Sequence, residues 1–142
     1  MQTLRLPSRL QSLDQFRQFL AEKAADVNLA PATLSKVELV LEEIVANHVM
    51  HAYKDAPGET EVACFLRRDE SFCLQIADWG APFDPLSQPP PDTTAPLEER
   101  KIGGLGIHLV KNMADHLEYR REGGKNILTV CFRKAKAPES TP

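Results

Sequence analysis

A proline-rich segment constrains this chain more than any other feature of its sequence. Residues 82–96 contain six of the 11 prolines, and proline fits neither the interior of a helix nor a central strand. The segment therefore predicts a long loop with folded parts of the chain on both sides. Such a loop inside a compact domain is more often a lid or a binding loop than a spacer. With 142 residues in all, both parts are expected to share one hydrophobic core.

Before the loop, hydrophobic periodicity predicts two helices and three strands. A helix begins at Ser12, where Gln15 would complete a capping box, and a long central helix covers residues 32–53. The strands are expected at residues 2–6, 61–67 and 71–78. The last two of these strands should pair as a hairpin.

After the loop, the pattern predicts one helix over residues 103–117 and a hairpin that turns at Gly123-Gly124, with strands at residues 117–122 and 127–133. The complete order of elements is typical of an α+β two-layer sandwich, in which a mixed, mainly antiparallel sheet carries helices on one face. We expect a single domain over residues 1–134 and a disordered tail over residues 135–142.

Composition and charge exclude several classes of protein. The net charge is −3, and no run of Lys and Arg offers the footprint that binding to nucleic acid requires. No apolar stretch approaches the length of a membrane span, so neither export nor a membrane anchor is expected. Cys64, Cys73 and Cys131 are odd in number and lack a CxxC spacing, which predicts small buried residues rather than a disulfide framework or a zinc knuckle. A reducing cytoplasm fits this pattern.

A cluster of glycines follows the loop, in the sequence Gly103-Gly104-Leu105-Gly106. At the start of a helix, unpaired backbone N–H groups and the helix dipole favour an anion, and glycine lets a phosphate approach the backbone. A glycine hinge without a ligand is the alternative. The cluster matches neither a Rossmann fingerprint nor a Walker A loop.

Glu43 and Asn47 lie four residues apart on the predicted central helix, so their side chains share one face. A carboxylate can accept a proton from a hydroxyl nucleophile, and a carboxamide oxygen can ligate Mg²⁺. The alternative for this pair is a solvated helix face.

Asp78-Trp79-Gly80 ends a predicted apolar strand. A carboxylate at such a position can point into a cavity and accept a hydrogen bond from an exocyclic amine such as that of adenine. A simple turn is the alternative. No HExxH pattern accompanies the four histidines, which predicts structural or surface roles for His48, His51, His108 and His116.

Three segments together resemble the GHKL ATP-binding superfamily. ELVLEEIVANHVMHAY (residues 38–53) resembles its asparagine box, DWGAPFDP (residues 78–85) its first glycine box, and KIGGLGIHLVKNMAD (residues 101–115) the end of its lid and its second glycine box. The chain is most similar to the stand-alone anti-sigma-factor serine kinases of this superfamily. The resemblance implies a Bergerat-type ATP-binding fold.

The resemblance also implies a role for each matching residue. Asn47 would ligate the Mg²⁺ that bridges the phosphates of ATP, and Glu43 would be the general base for an incoming serine hydroxyl. Asp78 would bind the adenine amine, and Gly80 would leave room for the ring. The phosphates would be contacted by Gly104, Leu105, Gly106 and Arg100. Residues 86–102 would form the lid, and His51 would be structural.

The function that the resemblance implies is transfer of the γ-phosphate of Mg-ATP to a serine or threonine of a small antagonist protein in a bacterial partner-switching system. A sigma factor would be the second partner, and the kinase would be a homodimer. The alternative is an ATP-binding module that sequesters a protein partner without catalysis. In one departure from the superfamily, Gly124-Lys125-Asn126-Ile127 replaces its Gly-Thr motif, and Thr129 is the candidate substitute for that threonine.

Overall fold

The computed structural model describes residues 1–49, 58–87 and 104–133. The predicted helices and strands are all found there. The three helices are α1 (Leu13–Asp26), α2 (Pro31–Asn47) and α3 (Gly104–Met113). The five strands are β1 (Thr3–Pro7), β2 (Glu59–Leu66), β3 (Phe72–Asp78), β4 (His116–Glu122) and β5 (Lys125–Phe132). No helix of the described residues is both long and apolar enough to cross a bilayer.

The strands form one sheet in the order β1-β2-β3-β5-β4, and every pairing within it is antiparallel. Since β3 lies in the middle, its last residue, Asp78, is flanked by Thr60 of β2 and by Asn126 of β5. This register brings together three polar residues that are far apart in the sequence.

The hydrophobic core lies between the helices and one face of the sheet, which confirms the predicted α+β architecture. Phe16 and Leu20 of α1 and Leu41 of α2 are fully buried in the same cluster as Leu74 and Ile76 of β3. Burial of each such side chain contributes about 1.5–3 kcal/mol. This packing holds α2 across the sheet and directs one side of the helix toward the end of β3.

The capping box that the sequence predicts at the start of α1 is wrong. Ser12 ends a short 3₁₀ turn and has helical backbone angles, φ −79° and ψ −12°. An N-cap side chain accepts a helix N–H from an extended backbone, which this conformation does not provide. The Ser12 hydroxyl donates instead to the carbonyl oxygen of Pro7, at 2.7 Å.

The expectation that the cysteines form no disulfide is also wrong. Cys73 of β3 and Cys131 of β5 stand directly opposite each other in the sheet and are joined by a disulfide bond. Spacing along the chain does not reveal this pair because strand register brings the two residues together. Cys64 is a half-buried thiol, and burial raises its pKa to about 12.

The described part of the proline-rich segment is anchored to the fold. Pro85–Ser87 forms a 3₁₀ turn, and the Lys111 ammonium of α3 donates to the carbonyl oxygen of Leu86 at 3.0 Å. Most of the predicted lid, residues 88–102, lies outside the described residues, as do the predicted end of the central helix and the tail.

Candidate functional site

A cavity lies between α2 and the ends of the central strands. Its volume is about 430 Å³, including the solvent at its mouth. The walls are formed by Ile44, Ile76, Phe83, Pro85 and Leu128, and the polar groups are those of Asn47, His48, Asp78, Tyr119 and Asn126. Mostly apolar walls with a few convergent polar groups are typical of small-molecule sites.

Asp78 is the centre of the polar end of this cavity. It is only 4% exposed. Its Oδ1 accepts hydrogen bonds from the backbone N–H of Gly80, at 2.9 Å, and from Nδ2 of Asn126, at 3.0 Å. Its Oδ2 lies 3.1 Å from Nε2 of His48. A buried carboxylate is costly unless donors surround it, and these three donors meet that requirement.

His48 connects the end of α2 to the sheet. With Val49 it continues α2 as a π-helical turn, and its side chain follows that of Ile44 along the same side of the helix. Its Nδ1 lies 3.0 Å from the Thr60 hydroxyl. Burial lowers the pKa of His48, and the charge of Asp78 opposes this effect. The buried imidazole is therefore neutral at neutral pH.

Asn126 is the site residue that sequence reasoning missed. Its Nδ2 donates to Asp78 and to the carbonyl oxygen of Ala81, while its Oδ1 accepts from the hydroxyl of Tyr119, at 2.6 Å, and from the N–H of Phe83, at 3.2 Å. The signal that could have found it is the pairing of the two hairpins, which sets Asn126 opposite Asp78.

Thr129 is wrong as the substitute for the superfamily threonine. It pairs with Gln75 in the sheet, whereas Asn126 pairs with Asp78. Side chains alternate between the two faces of a strand, so residues 126 and 129 point to opposite faces. Asn126 shares a face with Asp78, and Thr129 lies on the side turned away from the cavity.

Glu43 and Asn47 occupy one side of α2, one turn apart, as the spacing predicts. Asn47 is 8% exposed and lines the cavity, and its side-chain amide makes no hydrogen bond with the other described residues. Glu43 is half-buried and forms no ion pair with them either. The neighbouring Glu42 differs, because its carboxylate accepts hydrogen bonds from the guanidinium of Arg17 on α1.

The glycine cluster lies at a helix start, as predicted. Because α3 begins at Gly104, the backbone N–H groups of Gly104, Leu105 and Gly106 belong to its first turn, where an α-helix provides no internal acceptors for them. Helix α3 packs against α2. Arg100 and His51 lie outside the described residues.

The apolar walls of the cavity suit the faces of a flat aromatic ring, and its polar end offers a carboxylate that could accept from an exocyclic amine. The amide of Asn47, which makes no hydrogen bond with the other described residues, also fits Mg²⁺, which takes few protein ligands and completes its coordination with water and phosphate oxygens. The described residues contain no cluster of three or more acidic, His or Cys side chains suited to a metal.

This combination of fold and cavity has a counterpart among known proteins. A model of the histidine kinase-like ATPase domain matches residues 6–132. The match extends over most of the chain, so the protein belongs to the family of histidine kinase-like ATPase domains.

The curated relatives of the chain include serine-protein kinases. It is 26% identical over 141 residues to the serine-protein kinase RsbW of one Bacillus cereus strain and 25% identical to that of a Bacillus thuringiensis strain. Each alignment covers 96% of this chain and 88% of the relative. The similarity therefore extends over nearly the whole length of both proteins.

Solved structures show the same fold. The RsbU and RsbW domains of a Mycobacterium tuberculosis protein align over 94% of this chain with a TM-score of 0.60 and 15% identity. A blue-light activated histidine kinase of Erythrobacter litoralis aligns over 75% with a TM-score of 0.55 and 18% identity. The chain spans about a third of each of these longer proteins, and at such identities the likeness concerns the fold.

Proposed function

We propose that this chain is a serine/threonine protein kinase that transfers the γ-phosphate of Mg-ATP to a small antagonist protein in a bacterial partner-switching system. The observation that carries the proposal is the placement of Glu43 one helical turn before Asn47 on α2, where Asn47 lines an apolar cavity that also contains the Asp78 carboxylate. Family membership and the serine-protein kinases among the relatives support the same function.

The adenine ring would lie between the apolar walls of the cavity, with its exocyclic amine toward Asp78. Oδ1 of Asp78 already accepts two hydrogen bonds, and Oδ2 accepts one. Since a carboxylate oxygen has about two acceptor positions, Oδ2 is the atom that retains capacity for the amine. Gly80, two residues after Asp78, carries no side chain that could obstruct the ring.

Glu43 would be the general base. Its carboxylate is half-buried and lacks an ion-pair partner among the described residues, so it can accept the proton of an incoming serine or threonine hydroxyl. Glu42 cannot take this role in the same way because Arg17 engages its carboxylate. Proton removal by a positioned base contributes about 10²–10⁴-fold to a rate.

The phosphate end would combine Asn47 with the start of α3. The Asn47 carboxamide oxygen would hold Mg²⁺, which when bound neutralises charge on the phosphates. The N–H groups of Gly104, Leu105 and Gly106 would donate to phosphate oxygens, and Arg100 would reach them from the lid.

The proposed partners are the antagonist that is phosphorylated and a sigma factor that is bound in its place. The active form would be a homodimer in the cytoplasm. These assignments rest on the resemblance to anti-sigma-factor kinases and on relatives named RsbW.

The experiment that tests the proposal follows γ-labelled ATP into candidate antagonist proteins encoded beside the gene. Glu43→Gln should reduce the rate of transfer by about 10²–10⁴-fold while the affinity for ATP, measured by calorimetry, changes little. Glu42→Gln is the matched control, since it neutralises the adjacent carboxylate. It should transfer phosphate at the wild-type rate and lose only some stability with the Arg17 contact.

Transfer by Glu43→Gln at the wild-type rate would refute the assignment of the base. Binding of ATP without any phosphorylated product would support the alternative, a module that holds its partner in a nucleotide-dependent way. A folded wild-type protein that binds no ATP at millimolar concentration would refute nucleotide binding and kinase activity together.

A further inference from the structure

His48 follows Asn47 directly but contacts different groups. Asn47 faces the cavity without a hydrogen-bond partner among the described residues, whereas His48 lies between Asp78 and Thr60. The imidazole reaches Asp78 from α2, and Asn126 reaches the same carboxylate from β5. Two elements of the fold therefore converge on one buried side chain.

The contacts of the imidazole place a proton on Nε2, which faces Oδ2 of Asp78. If the proton were on Nδ1, the lone pair of Nε2 would face the carboxylate of Asp78, which offers only lone pairs itself. With the proton on Nε2, the ring donates to Oδ2 of Asp78 and its Nδ1 accepts from the hydroxyl of Thr60. The Thr60 oxygen is then left to accept from the hydroxyl of Ser8, which is its other partner.

Two chains of donors in this network lead to Asp78. On one side the order is Ser8 to Thr60 to His48 to Asp78, and on the other it is Tyr119 to Asn126 to Asp78. Hydrogen bonds in such chains polarise and strengthen one another, most of all where the local dielectric is low. The network thus stabilises the charge of Asp78 and fixes the plane of its carboxylate.

We propose that His48 is a positioning residue for nucleobase recognition: its Nε2–H holds the Asp78 carboxylate so that the remaining lone pair of Oδ2 points at the exocyclic amine of adenine. The proposal rests on the proposed function, since it requires a nucleotide in this cavity. Thr60 acts one step further away by setting the tautomer of His48. Thr60 itself is fully buried and does not line the cavity.

The test compares the affinities of two nucleotides, ATP and purine riboside 5′-triphosphate, which differ only by the exocyclic amine. Wild-type protein should bind ATP about tenfold or more tightly, as expected for a hydrogen bond to a charged group. His48→Leu removes both hydrogen bonds of the ring and should reduce this preference to within about threefold. Its affinity for the purine analogue should stay close to that of the wild type.

His48→Gln and His48→Asn form a matched pair, because both place an amide in the buried position. The amide nitrogen of glutamine lies near the place of Nε2 and can donate to Asp78. That of asparagine lies near the place of Nδ1 and faces Thr60. The glutamine variant should retain most of the preference for ATP, and the asparagine variant should lose it.

A second pair of variants separates positioning from packing. Thr60→Val keeps the shape of the side chain but removes the hydroxyl, whereas Thr60→Ser keeps the hydroxyl but removes the methyl group. The proposal predicts that Thr60→Val loses several-fold of the ATP preference and that Thr60→Ser retains it. A purely structural role predicts the opposite order, because the serine variant leaves a cavity. The two Thr60 variants also test the proposal if a variant of His48 does not fold.

An unchanged preference for ATP in His48→Leu, His48→Asn and Thr60→Val would overturn the proposal while leaving the kinase function intact. Wild-type protein that binds both nucleotides equally would refute the contact between Asp78 and the amine, and with it the role of His48. Wild-type protein that binds neither would refute the proposed function itself.

Discussion

The two ends of the candidate site are built in different ways. At the end of β3, Asp78 lies in a buried network whose members come from α2, β2, β4 and β5. On α2, Glu43 and Asn47 depend only on helical spacing and make no hydrogen bond with the other described residues. The first end is preorganised by contacts within the fold. The second has polar groups that make no contact of this kind with the described residues, which suits the proposed site, where the nucleotide, a metal and a second protein would complete it.

Substitutions at the two ends of the site should therefore have different effects. Changes on α2 at Glu43 should affect the chemical step and leave the fold intact. Changes around Asp78 should affect the affinity for nucleotide, the stability of the protein, or both, because its buried charge is held by several donors.

Asp78→Asn should reduce the affinity for ATP by roughly 10- to 100-fold. The amide that replaces Oδ2 presents a donor to the donor amine of adenine. The fold should tolerate the change because the neutral ring of His48 can switch tautomer, accept from the new amide and donate to Thr60. Calorimetric titration with ATP measures the affinity, and thermal unfolding reports the stability.

The control for this variant is Asp26→Asn, at an exposed position at the end of α1. It removes the same charge far from the cavity and should bind ATP as the wild type does. Equal affinities in Asp78→Asn and Asp26→Asn would mean that the adenine amine is not recognised at Asp78.

Asn126→Ala should destabilise the protein by about 1–3 kcal/mol, because the hydroxyl of Tyr119 and the N–H of Phe83 lose their acceptor and Asp78 loses a donor. Urea unfolding measures the loss. Asn112→Ala, at an exposed position of α3, should be neutral or slightly stabilising, since alanine favours a helix. Similar unfolding midpoints for both variants would show that the network around Asn126 contributes no net stability.

Features that depend on local spacing were predicted correctly. Glu43 and Asn47 share a side of α2 because residues four apart lie one turn from each other, and α3 begins within the glycine cluster. The hairpins followed from alternating apolar residues and the turn at Gly123-Gly124. These regularities extend over a few residues, so the sequence alone contains them.

Features that depend on register between distant strands were not predicted. Asn126 and Thr129 differ by three positions, and only the pairing of β5 with β3 decides which of them faces Asp78. The disulfide between Cys73 and Cys131 depends on the same pairing. His48 was assigned a structural or surface role, and the structure adds its contact with Asp78, which arises where α2 passes over the end of the sheet.

The smallest effect concerns the pH dependence of stability in the absence of nucleotide. Burial lowers the pKa of His48 in the folded protein, whereas in the unfolded chain it is near 6.5. The unfolded state therefore binds more protons below about pH 6.5. The free energy of unfolding should fall as the pH decreases from there, by at most about 1.4 kcal/mol per pH unit from this group.

His48→Gln should remove this contribution to the pH dependence, and His108→Gln, at an exposed position of α3, should not. Urea unfolding between pH 8 and pH 5.5 measures both slopes, and the difference between the variants cancels the titration of the carboxylates. Identical slopes in the two variants would show that the ring of His48 is not held neutral between Asp78 and Thr60. The end of the site at Asp78 would then lack the rigidity that distinguishes it from the end at Glu43 and Asn47.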